Sequence, residues 1–578
     1  MSGIKQAIEF CNGGGQMMQG LPIGYEDFRE IIEKNLYYVD KTLMIKNLID
    51  RHGKVNLFTR PRRFGKTLNL SMLRRFFEYE SDEKGNRIDN GKLFQGLKIA
   101  ASGEKYMAYQ GKFPVINLSL KAARQPDFEM AYQSMVDELA KEFGRHSCLL
   151  DSDSLNEDEK ERFLLIMRRK ADRIAYAKAL DFLSLCLAKH YKEKVIILID
   201  EYDVPLENAY FEGFYQQMAS FIRSLFESAL KTNSNLEFGV ITGCLRISRE
   251  SIFTGLNNLD IYSILSPWYA KDFGFTEEDV KKLLKDYNLQ DKSGEVKSWY
   301  DGYLFGDAEI YNPWSIINYA HTSMGDRNAY PRPYWSNTSS NSIIRELIEK
   351  ADLETRREIE ALIAGDAIEK PVHEDITYED IHESKENLWN FLYFTGYLRK
   401  LEELQKDDMI YLRLAIPNRE VRSIYKKTIL MWFDKNIGKA DVPGLISALE
   451  KGDCEAVGDF LSGQLMETIS FFDYAENYYH GFLAGLLKSQ NKYEVFSNPE
   501  SRLGRPDIVM REMKFRGQVI ILELKTAKKF DDMEPLCMEA LKQIESRQYE
   551  KAFIEEGCGN VKKYGVCFYK KGCIVKCS

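Results

Sequence analysis

Four short and nearly continuous apolar runs, separated by long helical stretches, restrict this chain to a small set of folds. The runs are "KVNLFTR" (54–60), "FPVINLSL" (113–120), "KVIILIDEYD" (194–203) and "EFGVITGC" (237–244). Strands that are apolar on both faces must be covered on both faces, and helices between successive parallel strands provide that cover. The first half of the chain is therefore predicted to be an α/β fold built on a parallel sheet.

The first apolar run is followed by a basic loop that ends in Gly65-Lys66-Thr67, and a helical pattern resumes directly after it. A phosphate-binding loop needs inward-pointing backbone N–H groups at a helix N-terminus, a lysine for the phosphates and a hydroxyl for Mg²⁺. Such loops usually open with glycine, whereas Arg60 holds that position here. We expect the turn at Arg60 to be made with negative φ, or with strain. The three arginines of the loop are expected to add positive charge beside the phosphates.

The third apolar run ends in Asp200 and Glu201, the pair of acids that a P-loop enzyme places at the end of a neighbouring strand. Asp200 is predicted to hold Mg²⁺ through water and Glu201 to polarise the attacking water. Thr242 ends the fourth run, where it either senses the γ-phosphate or is a buried hydroxyl bonded to the backbone. Arg246 and Arg249 are two further candidates for a charge-stabilising arginine.

A second group of acids lies near the C-terminus, with Asp507 before an apolar segment and Glu523 and Lys525 in "IILELKT". Residues two apart on a strand share a face, so Glu523 and Lys525 are expected to point the same way. Two acids and a lysine could hold Mg²⁺ and an activated water for phosphodiester cleavage. The alternative is an ordinary exposed ion pair on one strand. Further candidates around this group are Glu476, Gln543, Tyr549, Arg502 and Arg505.

Composition narrows the class of protein further. The net charge of −8 provides no general attraction to nucleic acid. No apolar run approaches the roughly 20 residues of a membrane-spanning helix, and the first residues lack a signal-peptide core. The 10 cysteines are scattered, which favours reduced thiols and a cytoplasmic location. A zinc site in the cysteine-containing tail has little support, because no C-x-x-C pair occurs there.

Changes in character along the chain predict four domains. These are a P-loop domain (1–268), a small lid domain with an aromatic hairpin region (269–335), a helical linker domain (336–450) and an α/β domain (451–578). The segment "AYPRPYWSNTSSNS" (329–342), between the lid domain and the helical linker domain, is rich in Pro, Ser and Asn and indicates a boundary.

The chain resembles the bacterial AAA-ATPase-like proteins that end in a PD-(D/E)XK nuclease superfamily domain. The resemblance extends from about residue 20 to about residue 550 and rests on a combination of segments: "LPIGYEDFREIIEKNLYYVDKT", "RPRRFGKTL", "IILIDEYDVPL", "TGCLRIS", "GLNNL", "YNPWSI", "YYHGFLAGLL" and "LGRPDIVM…IILELKT". It implies a restriction-endonuclease-like fold for the C-terminal domain and ATP with Mg²⁺ as cofactors. It implies ATP and Mg²⁺ at Lys66, Thr67, Asp200 and Glu201. Together with the loop and the strand ends, the predicted nucleotide contacts are Arg60, Pro61, Arg62, Arg63, Phe64, Gly65, Lys66, Thr67, Leu68, Asp200 and Thr242. The implied metal ligands are Thr67, Asp200, Asp507 and Glu523, and the implied catalytic residues are Glu201, Glu476, Asp507, Glu523 and Lys525.

Two functions follow as expectations. The first is ATP hydrolysis that drives or gates a Mg²⁺-dependent nuclease acting on DNA or RNA. The second is an ATP-dependent switch whose C-terminal domain binds a partner or nucleic acid without cleaving it.

Overall fold

The fold is described from a computed structural model of the chain. The described residues are 18–81, 86–246, 253, 257–335, 344, 352–374, 385–406, 409–437, 441–467, 476–488, 490–497, 506–558 and 560–578. They group into two compact units, one formed by residues 1–340 and 367–422 and the other by residues 341–366 and 423–578. The boundaries between the four predicted domains stay a prediction.

The N-terminal unit is built on a parallel five-stranded sheet with the strand order β2-β3-β4-β1-β5. The strands are β1 (Val55–Thr59), β2 (Val115–Ser119), β3 (Val195–Asp200), β4 (Leu236–Gly243) and β5 (Leu259–Tyr262). Every residue of β1 and β3 is buried, as expected for central strands covered on both faces. The four apolar runs thus form the predicted parallel sheet, and β5 adds an edge strand.

The helices around this sheet connect and cover the strands. They are α1 (Phe28–Glu33), α2 (Leu43–Arg51), α3 (Lys66–Phe77), α4 (Glu104–Met107), α5 (Phe128–Arg145), α6 (Glu157–Met167), α7 (Arg173–Ala177), α8 (Ala179–Tyr191), α9 (Val204–Glu212) and α10 (Tyr215–Phe226).

A small aromatic subdomain follows the sheet. It consists of α11 (Glu277–Asp286), α12 (Ser293–Tyr300), the hairpin β6 (Tyr303–Phe305) and β7 (Ala308–Ile310), and α13 (Pro313–Gly325). The hairpin predicted from the aromatic stretch is present. Gly306 begins its two-residue turn with a φ of +53°, and a Cβ there would lie 2.6 Å from the backbone of Pro267. Glycine is therefore the residue that this turn accepts.

The middle of the chain is mainly helical, with α14 (Leu353–Ala364), α15 (Lys385–Phe394) and α16 (Arg419–Ile437). It also contains an antiparallel sheet that the sequence analysis did not predict. Its strands are β8 (Ile368–Pro371), β9 (Arg399–Lys406) and β10 (Met409–Ala415), in the order β8-β10-β9.

The C-terminal region is a mixed five-stranded sheet with helices, as a restriction-endonuclease-like fold requires. Its strands are β11 (Tyr493–Ser497), β12 (Ile508–Glu512), β13 (Val519–Thr526), β14 (Val561–Tyr569) and β15 (Gly572–Cys577), paired in chain order. Only the β13–β14 pair is parallel. The helices are α17 (Val442–Lys451), α18 (Cys454–Glu467), α19 (Glu476–Lys488), α20 (Met533–Ser546) and α21 (Lys551–Glu555).

Candidate functional site

The loop between β1 and α3 makes its turn without strain at its opening residue. Arg63 and Gly65 adopt positive φ values of +70° and +86°, whereas Arg60 does not. Gly65 directly precedes α3, so the left-handed residue stands at the helix N-terminus, where glycine tolerates it. The prediction of negative φ at Arg60 is confirmed.

The side chain of Arg60 points away from the loop cavity, contrary to the sequence prediction. It is fully buried, and its guanidinium donates hydrogen bonds to the carbonyls of Tyr262 at 2.6 Å, Thr59 at 2.9 Å and Tyr269 at 3.4 Å. Burial lowers the pKa of Arg60 to about 9. The predicted contribution of Arg60 to the charge beside a phosphate is wrong, because its guanidinium instead ties the loop to β5 and the segment after it.

The remaining loop residues enclose a cavity of about 400 Å³. Four predicted nucleotide contacts besides Arg60 do not line it: Pro61, Phe64, Asp200 and Thr242. The ring of Phe64 instead packs against Tyr303 and Phe305 at centroid distances of 5.0 and 5.1 Å. The lining residues are Pro22, Gly24, Tyr25, Glu26, Ile31, Arg62, Arg63, Gly65, Lys66, Thr67, Leu68, Lys121, Arg124, Glu201, Val204, Pro313, Trp314 and Ile317.

The carboxylate of Asp200 accepts hydrogen bonds from two hydroxyl groups, one on α3 and one on β4. Its Oδ2 accepts a hydrogen bond from Thr67 Oγ1 at 2.8 Å, and its Oδ1 accepts one from Thr242 Oγ1 at 2.7 Å. Burial and the neighbouring Glu201 raise the pKa of Asp200. Thr242 is a buried hydroxyl that bonds to the backbone, as one of the two alternatives expected, because its Oγ1 accepts a hydrogen bond from the Glu201 N–H at 3.4 Å. It also donates to the Asp200 carboxylate, which links β4 to the oxygens that could hold a metal.

Lys66 is held inside the loop by the loop's own carbonyl groups. Its Nζ donates to Arg60 O at 2.9 Å and Pro61 O at 3.2 Å, and it lies 3.6 Å from Glu201 Oε1. Burial disfavours its charge, but the surrounding thiol and acids outweigh burial and raise the pKa of Lys66. Lys66 is therefore a permanent cation at the base of the cavity.

Glu201 follows the end of β3 in a left-handed conformation, with a φ of +55°. Burial favours its neutral form, but Lys66, Lys121 and Arg62 outweigh burial and lower the pKa of Glu201. A non-glycine residue with positive φ at a strand end is uncommon and carries a conformational cost. The carboxylate is thus kept ionised at the rim of the cavity, where a water molecule could meet it.

Several residues that line or support this cavity were not predicted from the sequence. Lys121 and Arg124 follow β2, and Trp314 is the second residue of α13. Arg62 and Arg124 both pair with Glu207 Oε2. Among the residues that the structure describes, one trio has metal-ligand spacing, namely Glu201, Asp203 and Cys244. The ammonium of Lys66 lies 3.4 Å from Cys244 Sγ, so a cation already stands beside this trio.

Two arginines after β4 are candidates for the arginine finger. Arg246 Nη1 lies 3.4 Å from Glu374 Oε2, whereas Arg249 lies outside the described residues. The assignment of an arginine finger stays a prediction.

The C-terminal acids meet as strand alternation predicts. Asp507, which precedes β12, accepts a hydrogen bond on Oδ2 from the backbone N–H of Leu524 at 2.7 Å, and its own N–H lies 3.4 Å from Glu523 Oε2. Gln543 on α20 donates to Glu523 Oε1 and accepts from Lys525 Nζ at 2.8 Å. Burial, followed by the charge of Asp507, raises the pKa of Glu523 to about 7. Glu523 and Lys525 therefore share one face of β13, as predicted, and Asp507 lies beside them.

His480 is a further side chain at this position that the sequence analysis missed. Its Nε2 lies 2.9 Å from the carbonyl oxygen of Asp507 and 3.3 Å from Ser497 Oγ. It stands four residues after Glu476 on α19, a spacing that places two residues on one helix face and could have revealed it. Glu476 is the first residue of α19, but its side chain lies outside the described part, as do Arg502 and Arg505.

The oxygen donors at both positions suit Mg²⁺, which prefers carboxylate and hydroxyl oxygens and keeps room for phosphate and water. Thr67 with Asp200 provides one such set, and Asp507 with Glu523 provides the other. Within the described ranges, no helix combines the length and the apolarity needed to cross a lipid bilayer.

Comparison with known proteins places both regions in known families. Residues 22–253 match the family described as predicted AAA-ATPase, and residues 474–577 match the PD-(D/E)XK nuclease superfamily. The chain is also 24% identical over 555 residues to a protein of Azotobacter chroococcum mcd 1 described as "Uncharacterized protein in vnfD 5'region". That alignment covers 93% of this chain and 94% of the relative. This chain accordingly combines a predicted AAA-ATPase-like domain over residues 22–253 with a C-terminal PD-(D/E)XK nuclease superfamily domain over residues 474–577.

Proposed function

We propose that the N-terminal cavity binds and hydrolyses ATP. The observation that carries this proposal is the arrangement around Asp200, whose two oxygens accept hydrogen bonds from Thr67, which lines the cationic cavity, and from the buried Thr242. An ATP triphosphate carries about four negative charges, and Lys66, Arg62 and Arg63 supply positive charge along the cavity.

The aromatic residues of the cavity are suited to a nucleobase. Tyr25 and Trp314 line the cavity, and the guanidinium of Arg63 lies 4.4 Å from the ring centroid of Trp314. Aromatic faces bind bases by stacking. The cavity thus contains aromatic rings that could stack on the base and cationic side chains that could bind the phosphates.

Glu201 is the group we assign to the attacking water. Its lowered pKa keeps the carboxylate ionised, so that it can accept a hydrogen bond and then a proton from water. Lys66 must release the loop carbonyls and Glu201 to reach the phosphates, and this exchange frees Glu201 for the water. Mg²⁺, held by Thr67 and Asp200, would supply neutralisation of the charge that develops on the phosphate oxygens.

For the C-terminal site we propose metal-dependent cleavage of a phosphodiester bond in nucleic acid. Asp507 and Glu523 would hold the metal, which supplies Lewis-acid activation of the phosphate. Lys525 is positioned by Gln543 and would orient or deprotonate the attacking water. Glu476 begins α19, and His480 on the same helix lies 2.9 Å from the carbonyl oxygen of Asp507.

We further propose that the nucleotide state of the first site gates the second, with DNA or RNA as the substrate. Loss of the γ-phosphate removes contacts from Lys66 and from the Asp200–Thr242 pair, which is the kind of local change that P-loop proteins amplify. The four-domain division of the sequence analysis belongs to this proposal, with residues 336–450 as the connecting domain.

A second candidate function is an ATP-dependent switch that binds a partner or nucleic acid without cleavage. It is favoured by the internal hydrogen bonds of the C-terminal acids, because Asp507 is bonded to a backbone N–H and Glu523 to Gln543. A carboxyl group with a pKa of about 7 also binds metal less readily at neutral pH than an ordinary carboxylate.

The experiment that separates the two functions is a Mg²⁺-dependent cleavage assay on single- and double-stranded DNA and RNA, with and without ATP. Cleavage by the wild type, lost in Glu523→Gln and retained in the surface control Glu494→Gln, supports the nuclease. Retained binding without any cleavage supports the switch.

A further inference from the structure

Lys121 is a second lysine in the nucleotide cavity, and the phosphate-loop motif does not account for it. It lies two residues after the end of β2 and begins the short 3-10 helix Lys121–Ala123. Its Nζ donates hydrogen bonds to Thr67 Oγ1 at 2.9 Å and to Glu26 Oε2 at 2.9 Å, and it lies 3.6 Å from Asp200 Oδ2. The ammonium therefore stands against the same two oxygens that would hold Mg²⁺.

The hydrogen-bond pattern of Thr67 defines this arrangement. A hydroxyl has one hydrogen to donate and lone pairs to accept with. Thr67 gives its hydrogen to Asp200 and accepts from Lys121. A divalent ion bonded to these oxygens at about 2.0–2.1 Å would stand beside the ammonium and be repelled by it.

The other cations of the cavity are directed elsewhere. Arg62 and Arg124 both pair with Glu207, and Lys66 is bonded to loop carbonyls. Among the described residues, the ion pair to Asp200 comes from Lys121. The contact is therefore specific to one side chain rather than a general effect of positive charge.

We propose that the Lys121 ammonium occupies the position of the divalent metal until nucleotide binds, so that the metal binds together with the phosphates and not before them. The inference rests on the proposed ATP-binding function. When metal and triphosphate enter, Lys121 leaves Thr67 and Asp200, and its charge remains neutralised by Glu26 and by phosphate oxygens. Lys121 is thus a positioning residue that makes metal binding conditional on nucleotide.

The test measures Mn²⁺ affinity without nucleotide, by the electron paramagnetic resonance signal of free Mn²⁺. The full chain carries Asp507→Asn to remove metal binding at the C-terminal site. Lys121→Met is compared with the parent, and Arg124→Met is the matched control, because it removes one positive charge from the same cavity without touching Thr67 or Asp200.

We expect Lys121→Met to bind Mn²⁺ about tenfold more tightly or better, and Arg124→Met to change the affinity by less than about threefold. Adding Asp200→Asn to Lys121→Met should abolish the gain. With ATP present, the parent and Lys121→Met should have similar Mn²⁺ affinities, because the ammonium has already left.

Equal changes in Lys121→Met and Arg124→Met, or no change in Lys121→Met, would overturn the inference. ATP binding is measured on the same proteins. Absence of ATP binding to the parent would refute the proposed function itself, whereas ATP binding with an unchanged Mn²⁺ affinity in Lys121→Met would refute this inference alone.

Discussion

Metal binding at the C-terminal acids should depend steeply on pH near neutrality. Glu523 is 2% exposed, and burial together with Asp507 raises its pKa to about 7. A carboxyl group must lose its proton to bind a divalent metal. Because the folded-state pKa is raised, the proton stays on to near-neutral pH, and metal affinity is lost as the pH falls through about 7.

The size of the effect follows from the position of this pKa. About one pH unit below it, roughly one molecule in eleven is ionised, and about one unit above it roughly ten in eleven are. The Mn²⁺ affinity should therefore rise about tenfold between about pH 6 and about pH 8.

The assay is calorimetric titration of Mn²⁺ into the full chain carrying Asp200→Asn, which removes metal binding at the first site. Glu523→Gln should bind weakly and without pH dependence in this range. His480→Gln controls for the neighbouring imidazole and should keep the slope. A flat profile in the parent, or an unchanged slope in Glu523→Gln, would refute the reasoning.

Four further predictions address the N-terminal unit and its coupling. Lys66→Ala should abolish ATP binding, measured by calorimetry, because the point charge for the β- and γ-phosphates is lost. Glu201→Gln should bind ATP but hydrolyse it about 10²-fold more slowly or worse in a phosphate-release assay, because the amide cannot take a proton; hydrolysis at the wild-type rate would contradict this role. Arg60→Met should destabilise the fold by about 2 kcal/mol or more in thermal unfolding, because three backbone carbonyls lose a charged donor; an unchanged melting curve would contradict the role of Arg60 as a tie. Nucleic-acid cleavage or binding should differ between ATP, ADP and no nucleotide in the wild type and in Glu201→Gln, and identical values in all six conditions would mean that the two sites are independent.

The parallel sheet was predictable because its central strands are apolar on both faces, a pattern that few other structures produce. Strand β5 has four residues and only partial burial, so its segment lacks that pattern. Strand β9 is even more difficult to predict from the sequence, because "RKLEELQK" is largely charged and exposed. It forms a strand through its pairing with β10. Pairing between segments is not visible in the composition of either one.

The two sites also differ in how much of their geometry could be predicted from the sequence. Glu523 and Lys525 share a face because strand geometry repeats every two residues, and this is readable from spacing. Lys121 reaches Thr67 across 54 positions of the chain, so only the folded sheet brings them together. The direction of the Arg60 side chain was predicted incorrectly because it depends on the carbonyls of Tyr262 and Tyr269, which come from distant segments.

The interleaving of the two compact units bears on how the protein can be synthesised and divided. Helix α14 belongs to the C-terminal unit, where Glu360 pairs with Lys571 at 3.0 Å, while residues 367–422 return to the N-terminal unit. A ribosome extends the chain at about 5–20 residues per second, so α14 emerges well before most of the unit that it joins. The N-terminal unit in turn cannot be completed until residue 422 has been made. A single truncation between the two units would leave at least one of them incomplete, and an isolated ATPase or nuclease half will require a rejoined chain rather than a shorter one.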